Sequence, residues 1–209
     1  YIVTEYIEGK TLKDLIEKKT VELTNDQIIM IILEIMCALE FLHLNEFVYR
    51  DLKSDNIMID SNMNAKLIDF DNCKLYDGSE NTADIGVDDY MSPEQNISNY
   101  YSYETDIYSL GKIIHFILMK GQRMNDLTTI PDGYDKLFNI YKHCFNISVE
   151  QRPNISQIFN EFMFINTNLP LKPLVSIRET LFESLSQDNK DFNSDLSYFL
   201  GVYYYDNGE

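Results

Sequence analysis

The chain has 209 residues, 44% of them hydrophobic, and its 17 Lys and Arg stand against 34 Asp and Glu for a formal net charge of -17. That length and apolar content suit one domain with a sizeable core plus an appendage, while the acidic balance argues against nucleic acid or an anionic membrane as partner, because both are bound largely through positive charge. Cys37, Cys73 and Cys144 are widely spaced and in no C-x-x-C arrangement, which argues against a disulfide framework or a zinc site and makes a reducing, cytoplasmic setting the default.

In chain order, Tyr1 to Gly9 reads as an apolar strand ending at a Gly turn. Leu12, Leu15 and Ile16 mark a short helix. Thr24 or Asn25 can cap a long one, in which Ile28, Ile31, Ile32, Ile35, Ala38, Leu39 and Leu42 recur at helical spacing and form core. Ile57 to Asp60 and Ala65 to Ile68 are short apolar runs separated by turn formers, a small hairpin. Asp106 opens a second apolar helix reaching about Met119, with Asp106 itself suited to an N-cap. A helix built on Ile155, Ile158, Phe159 and Phe162 follows, then a linker punctuated by Pro170 and Pro173, then helical periodicity from Val175 to Ser186. No uninterrupted apolar stretch of membrane-spanning length and no signal peptide is read, and His43, His115 and His143 read as packed or surface residues.

The most informative stretch is Tyr49-Arg50-Asp51-Leu52-Lys53-Ser54-Asp55-Asn56, followed after the hairpin by Asp69-Phe70-Asp71. On its own, D-x-x-x-x-N spacing suits a solvated loop, since turns favour both residue types. Order decides otherwise. The run resembles the H-R-D-L-x-x-x-N catalytic loop and D-F-G loop of eukaryotic protein kinases, and Tyr90-Met91-Ser92-Pro93-Glu94 follows where that family has A-P-E.

The resemblance implies a mainly α fold: the large lobe of a protein kinase with a short hinge strand and small β-hairpins, the N-terminal lobe being absent. Phosphoryl transfer is mostly positioning and charge stabilisation, and on this reading Asp51 is the base, Lys53 sets an ammonium beside the transferring phosphate and marks the serine/threonine class, and Asn56 and Asp69 hold magnesium through oxygen. Thr4 is the gatekeeper, the backbone of Glu5 and Ile7 meets the adenine of ATP, and Met58 lies under the ring. Tyr49 packs under Phe70, Asp106 holds the catalytic-loop backbone, and Arg152 of Gln151-Arg152-Pro153 pairs with Glu94. The lobe is expected over 1–165, a linker over 166–174 and a helical appendage over 175–209. Leu200 to Gly208 resembles the L-G-x-x-Y-x-x-G core of Sel-like repeats with its last Gly one residue late; a capping helix on the lobe is the alternative. Such an appendage offers a surface for a protein partner.

The departures bear on activity. The chain contains no G-x-G-x-x-G-x-V loop and no strand Lys in a V-A-I-K context, so it is expected to begin at the hinge of a longer protein and to be inactive alone. Tyr49 replaces His, Asp71 replaces a Gly and is expected to stiffen its segment, and Val87 replaces a Thr whose hydroxyl touches the catalytic Asp and Lys. Arg50 and Lys74 resemble the basic pair that holds an activation-segment phosphate, with Thr82 and then Ser79 as the nearest acceptors; neutralising nearby acids is the other reading. Two functions stand: an ATP- and magnesium-dependent serine/threonine kinase of the tyrosine-kinase-like group, acting on a protein substrate in signalling, and a pseudokinase scaffold that transfers nothing.

Overall fold

A computed structural model of the chain describes residues 2–19, 21–76, 78, 89–98, 100–121, 130, 133–164 and 202–204, with the backbone alone for 2–4 and 202–204. Thr82, Ser79 and Val87, the linker and most of the appendage lie outside the described residues.

Strand β1 (Ile2–Thr4) leads through residues 5–8 to β2 (Gly9–Thr11) and directly into helix α1 (Leu12–Glu17), where Thr11 Oγ1 accepts from Asp14 N at 3.1 Å. Helix α2 (Asn25–Leu44) uses Thr24 as its cap: Thr24 Oγ1 accepts from Gln27 N at 3.2 Å and Gln27 Oε1 from Thr24 N at 3.0 Å, a reciprocal box that satisfies two end donors. Strand β3 (Phe47–Val48), a 3-10 turn (Ser54–Asn56), β4 (Ile57–Asp60), β5 (Ala65–Leu67) and β6 (Lys74–Leu75) follow. Then come α3 (Pro93–Ser98), α4 (Tyr103–Leu118), α5 (Asp135–Tyr141), α6 (Ile155–Met163) and β7 (Val202–Tyr204). The fold is mainly helical with a few short strands.

Helix α2 lies at the centre, touching α4, α6, β3 and β5. Ile31, Ile32, Leu33, Met36 and Leu39 are fully buried, so apolar residues surround the helix on nearly all sides as its composition requires. By length and composition it is long and apolar enough to cross a membrane, although Glu34 and Glu40 interrupt its apolar run; 67% of that window is buried inside the protein. Leu110, Ile113 and Ile114 of α4 and Ile158, Phe159 and Phe162 of α6 complete the core around it.

Three boundaries differ from the sequence reading. Helix α4 starts at Tyr103, with Ser102 as its cap residue, so Asp106 sits inside its first turns and its carboxylate is free to bond elsewhere. The hairpin of β4 and β5 gains β2 as a third antiparallel strand, pairing Gly9 with Asp60 and Thr11 with Met58. A Cβ on Gly9 would lie 2.1 Å from Ile59 O, so glycine is what lets the strands close. Within the appendage expected to be helical, Val202–Tyr204 is a strand antiparallel to β1, with Val3 opposite Tyr203. Val and Tyr favour the pleated state, and β1 offers an edge for them to pair.

Candidate active site

The Tyr49–Asn56 loop hangs from one buried carboxylate. Asp106 is 1% exposed; its Oδ2 accepts from Tyr49 N at 2.8 Å and His43 Nε2 at 2.9 Å, and its Oδ1 from Arg50 N at 2.8 Å. Bonds to an ionised acceptor are the strong ones, and here they hold Arg50 in the left-handed region at φ 71°, which costs a side-chain-bearing residue about 1–2 kcal/mol. Arg50 Nε also donates to the Asn72 carbonyl, and its guanidinium lies 5.5 Å from the centre of the Tyr101 ring. Sequence reasoning passed over His43, whose partner is 63 positions away; its place in the last turn of α2 was the one available signal.

Asp51 is 6% exposed and unevenly bonded. Its Oδ2 accepts from Lys53 Nζ at 2.6 Å, Asn56 Nδ2 at 3.0 Å and Asn72 Nδ2 at 3.3 Å. Asn56 Nδ2 also donates to the Asp51 backbone carbonyl at 3.0 Å, so the amide nitrogen of Asn56 is committed and Oδ1 remains as its acceptor.

The hairpin carries the second loop to the same place. Asn56 immediately precedes β4, and Asp69 follows two residues after β5. Ile68 N donates to Asn56 O at 3.0 Å, Tyr49 Oη donates to the Ile68 carbonyl, and the Tyr49 and Phe70 rings meet edge-on at 5.5 Å. Burial pushes the Tyr49 hydroxyl well up, and the carboxylates of Asp51, Asp69 and Asp106 push it further. Asp69 is exposed with φ 61°. Asp71, which stands where the family has Gly, is not left-handed, whereas Asp69 two residues earlier is. Among the described residues no three His, Cys, Asp or Glu side chains are grouped as a metal cage. The oxygens of Asn56 and Asp69 suit magnesium, which takes few protein ligands and keeps water or phosphate on the rest.

The residues read as a hinge lie on β1 and in the segment that joins it to β2, the strand paired with β4. Thr4 ends β1. Glu5 is exposed and pairs with Lys66 Nζ at 2.7 Å, linking the segment before β2 to β5. Ile7 lies half-buried between β1 and β2. Met58 faces away from the core, since Ile57 and Ile59 on either side of it are buried. Glu34 of α2 steadies the hairpin from behind, accepting from Ala65 N at 2.6 Å. Burial pushes its carboxyl up to about 7 against that hydrogen bond, and Asp60 adds to the rise.

A second tier of contacts fixes the segment around Tyr90 and Glu94. Tyr90 Oη meets Ser54 Oγ at 2.8 Å, and Ser109 Oγ of α4 donates to Tyr90 O at 2.9 Å. The Arg152 side chain is fully buried and bidentate on Glu94, at 2.5 and 2.8 Å, with further donations to Asn146 O and Glu104 O at 2.9 Å. Its guanidinium lies 5.0 Å from the Tyr108 ring centre. Burial alone would raise the Glu94 carboxyl, but the Arg152 hydrogen bonds hold it below its ordinary value. Lys74 is exposed on β6 opposite Val48, two positions before Arg50.

Comparison with known proteins agrees with this geometry. The family described as "Protein kinase domain" matches residues 1–182, which runs into the stretch read as linker and appendage. The serine/threonine-protein kinase max-2 of Caenorhabditis elegans is 38% identical over 164 residues, covering 78% of this chain and 24% of that protein. The probable serine/threonine-protein kinase PknB of Lactococcus lactis is 37% identical over 125 residues, 58% of this chain and 20% of its own. The probable serine/threonine-protein kinase PLK of Dictyostelium discoideum is 30% identical over 189 residues, 81% and 19% respectively. The chain thus spans about a fifth to a quarter of the length of these relatives. With a family match over most of its length and the two motif loops tied together at one edge, this chain belongs to the protein kinase domain family.

Proposed function

We propose that this chain forms the larger, helical lobe of a serine/threonine protein kinase, with Asp51 taking the proton of a protein hydroxyl. Magnesium ATP supplies the phosphoryl group and the cation that offsets its charge. The observation that carries the reading is the joining of the two loops: Asp51 is gripped by Lys53, Asn56 and Asn72, while Ile68 and Phe70, on either side of Asp69, bond to or pack on Asn56 and Tyr49. Asn56 Oδ1 and the Asp69 carboxylate would hold the cation. Lys53 keeps a positive charge 2.6 Å from the base, beside the place where the transferred group gains negative charge. The hinge backbone at Glu5 and Ile7, with Met58 on the open face of β4, would take the adenine. Lys53 and the names of the relatives favour Ser or Thr as acceptor.

Arg50 and Lys74 receive a phosphate on Thr82, and less so on Ser79, in this reading. These 209 residues contain no G-x-G-x-x-G loop and no V-A-I-K strand Lys, and in this reading they transfer no phosphate on their own. The test is transfer of labelled γ-phosphate from magnesium ATP to a protein mixture by the full-length protein, with phosphoamino-acid analysis. Phosphoserine or phosphothreonine is expected, falling roughly 100-fold or more in Asp51→Asn, as loss of a general base implies. Transfer unaltered by Asp51→Asn would refute the role of Asp51, and no transfer by the unmodified protein would favour the scaffold.

A further inference from the structure

Asp51 presents two oxygens in unequal states. Oδ2 accepts from three side-chain donors, Lys53 Nζ at 2.6 Å, Asn56 Nδ2 at 3.0 Å and Asn72 Nδ2 at 3.3 Å, whereas no described residue donates to Oδ1. Two of those donors come from Asp51's own loop. Asn72 comes from the other one, and its backbone is separately clamped, because its carbonyl accepts from Arg50 Nε. Asn72 therefore bridges the loops twice, through Arg50 and through Asp51. The clamped carbonyl fixes where the Asn72 backbone sits, and from that position its Nδ2 reaches the carboxylate of the facing loop.

We propose that Asn72 is a positioning residue that locks the Asp51 carboxylate, leaving Oδ1 as the oxygen that takes the proton of the incoming hydroxyl. The inference rests on the kinase reading of the site. Without the third donor, rotation about the Cβ–Cγ bond of Asp51 exchanges the two oxygens more freely. The proton-accepting lone pair then spends less time aligned, and a reaction that depends on near-attack geometry slows. Nothing in this scheme requires Asn72 to touch the nucleotide, so its loss falls on turnover and not on ATP affinity.

The experiment is a pair of measurements on the full-length protein. In the first, Asn72→Leu removes the donor at similar volume, Asn72→Gln keeps an amide on a longer arm, and Asn72→Asp sets a second carboxylate against Asp51. The expected turnover order is Asn, Gln, Leu, Asp, with Asn72→Leu about 10-fold below the unmodified enzyme and KM for ATP unchanged. In the second, thermal unfolding is compared with Asp51 intact and in the Asp51→Asn background, which needs no activity. Asn72→Asp should lower Tm by several degrees with Asp51 in place, and by less than half as much in the Asp51→Asn background, because the like-charge contact is gone. Equal Tm shifts in both backgrounds, or unchanged kcat in Asn72→Leu, would overturn the proposal. Coupling in the unfolding cycle with no transfer by the unmodified protein is a different failure: it overturns the catalytic reading and leaves Asn72 a structural neighbour of Asp51.

Discussion

Replacing Arg152 with Met removes a guanidinium whose side chain is fully buried and which makes four described hydrogen bonds, two to Glu94 and one each to Asn146 O and Glu104 O. The methionine fills much of the space against the Tyr108 ring, so the loss is polar and not a cavity. Breaking a buried pair by removing one partner costs about 3–5 kcal/mol, because the other charge is left uncompensated. For a protein of this size each kcal/mol moves Tm by about 2–4 °C, so a fall of about 10 °C is expected by differential scanning fluorimetry. The double variant Arg152→Met with Glu94→Leu should recover part of that loss, since an apolar pair carries no desolvation penalty. Recovery stays incomplete because the carbonyls of Asn146 and Glu104 still lack their donor. The Glu94 carboxyl lies below its ordinary value in the folded state, so the pair's contribution is present above the ordinary carboxylate range and is lost as pH falls through the folded value. A Tm fall under about 2 °C in Arg152→Met, or a double variant no more stable than the single one, would refute this account.

Glu34→Gln should flatten the pH dependence of stability. With the carboxyl raised from 4.5 to about 7 in the fold, the folded state binds its proton more tightly, so stability is fully present below pH 4.5 and falls by about 3 kcal/mol as pH rises through 7. Stabilities of the two proteins from denaturant curves should therefore separate between about pH 4.5 and 7 in favour of Gln and keep that gap at higher pH, and profiles that stay parallel across that window would count against it. Gly9→Ala forces a methyl against Ile59 O and is expected to cost about 1–3 kcal/mol as strands β2 and β4 part; unchanged Tm would show that the strands give way freely. His43→Ala takes one of three donors from Asp106, so amide exchange at Tyr49 and Arg50 should quicken while α2 stays protected, with His43→Gln restoring part of the protection. Uniform quickening across α2 would indicate general loosening instead.

What the sequence made legible was whatever repeats at short range or has a fixed motif spacing. The stripe of Ile and Leu in α2 announces a core helix, and Asp51, Lys53, Asn56 and Asp69 stand out because their order matches one chemistry. The partnership of His43 with Asp106 was hidden, since two common residues 63 positions apart carry no local signature. Strand β2 was hidden for another reason: three residues containing a Gly read as a turn, and only the backbone of Ile59 lying where a Cβ would be shows that Gly9 belongs to a sheet. The start of α4 was misplaced because Asp106 is a good cap by type, yet its carboxylate is used by the Tyr49–Arg50 backbone and Ser102 takes the cap position. Asn72 had no motif to mark it.

The first two turns of α4 touch three separate parts of the protein: the Asp106 carboxylate holds Tyr49 and Arg50, the Glu104 carbonyl receives Arg152, and the Ser109 hydroxyl holds Tyr90. The helix is therefore built like a camshaft. A turn of one residue about its axis, about 100°, would carry all three contacts round together, displacing the Tyr49–Asn56 loop and the Tyr90–Glu94 segment in the same movement. Such a rotation of α4 would disable both halves of the site at once, and these shared contacts leave it no way to spare either.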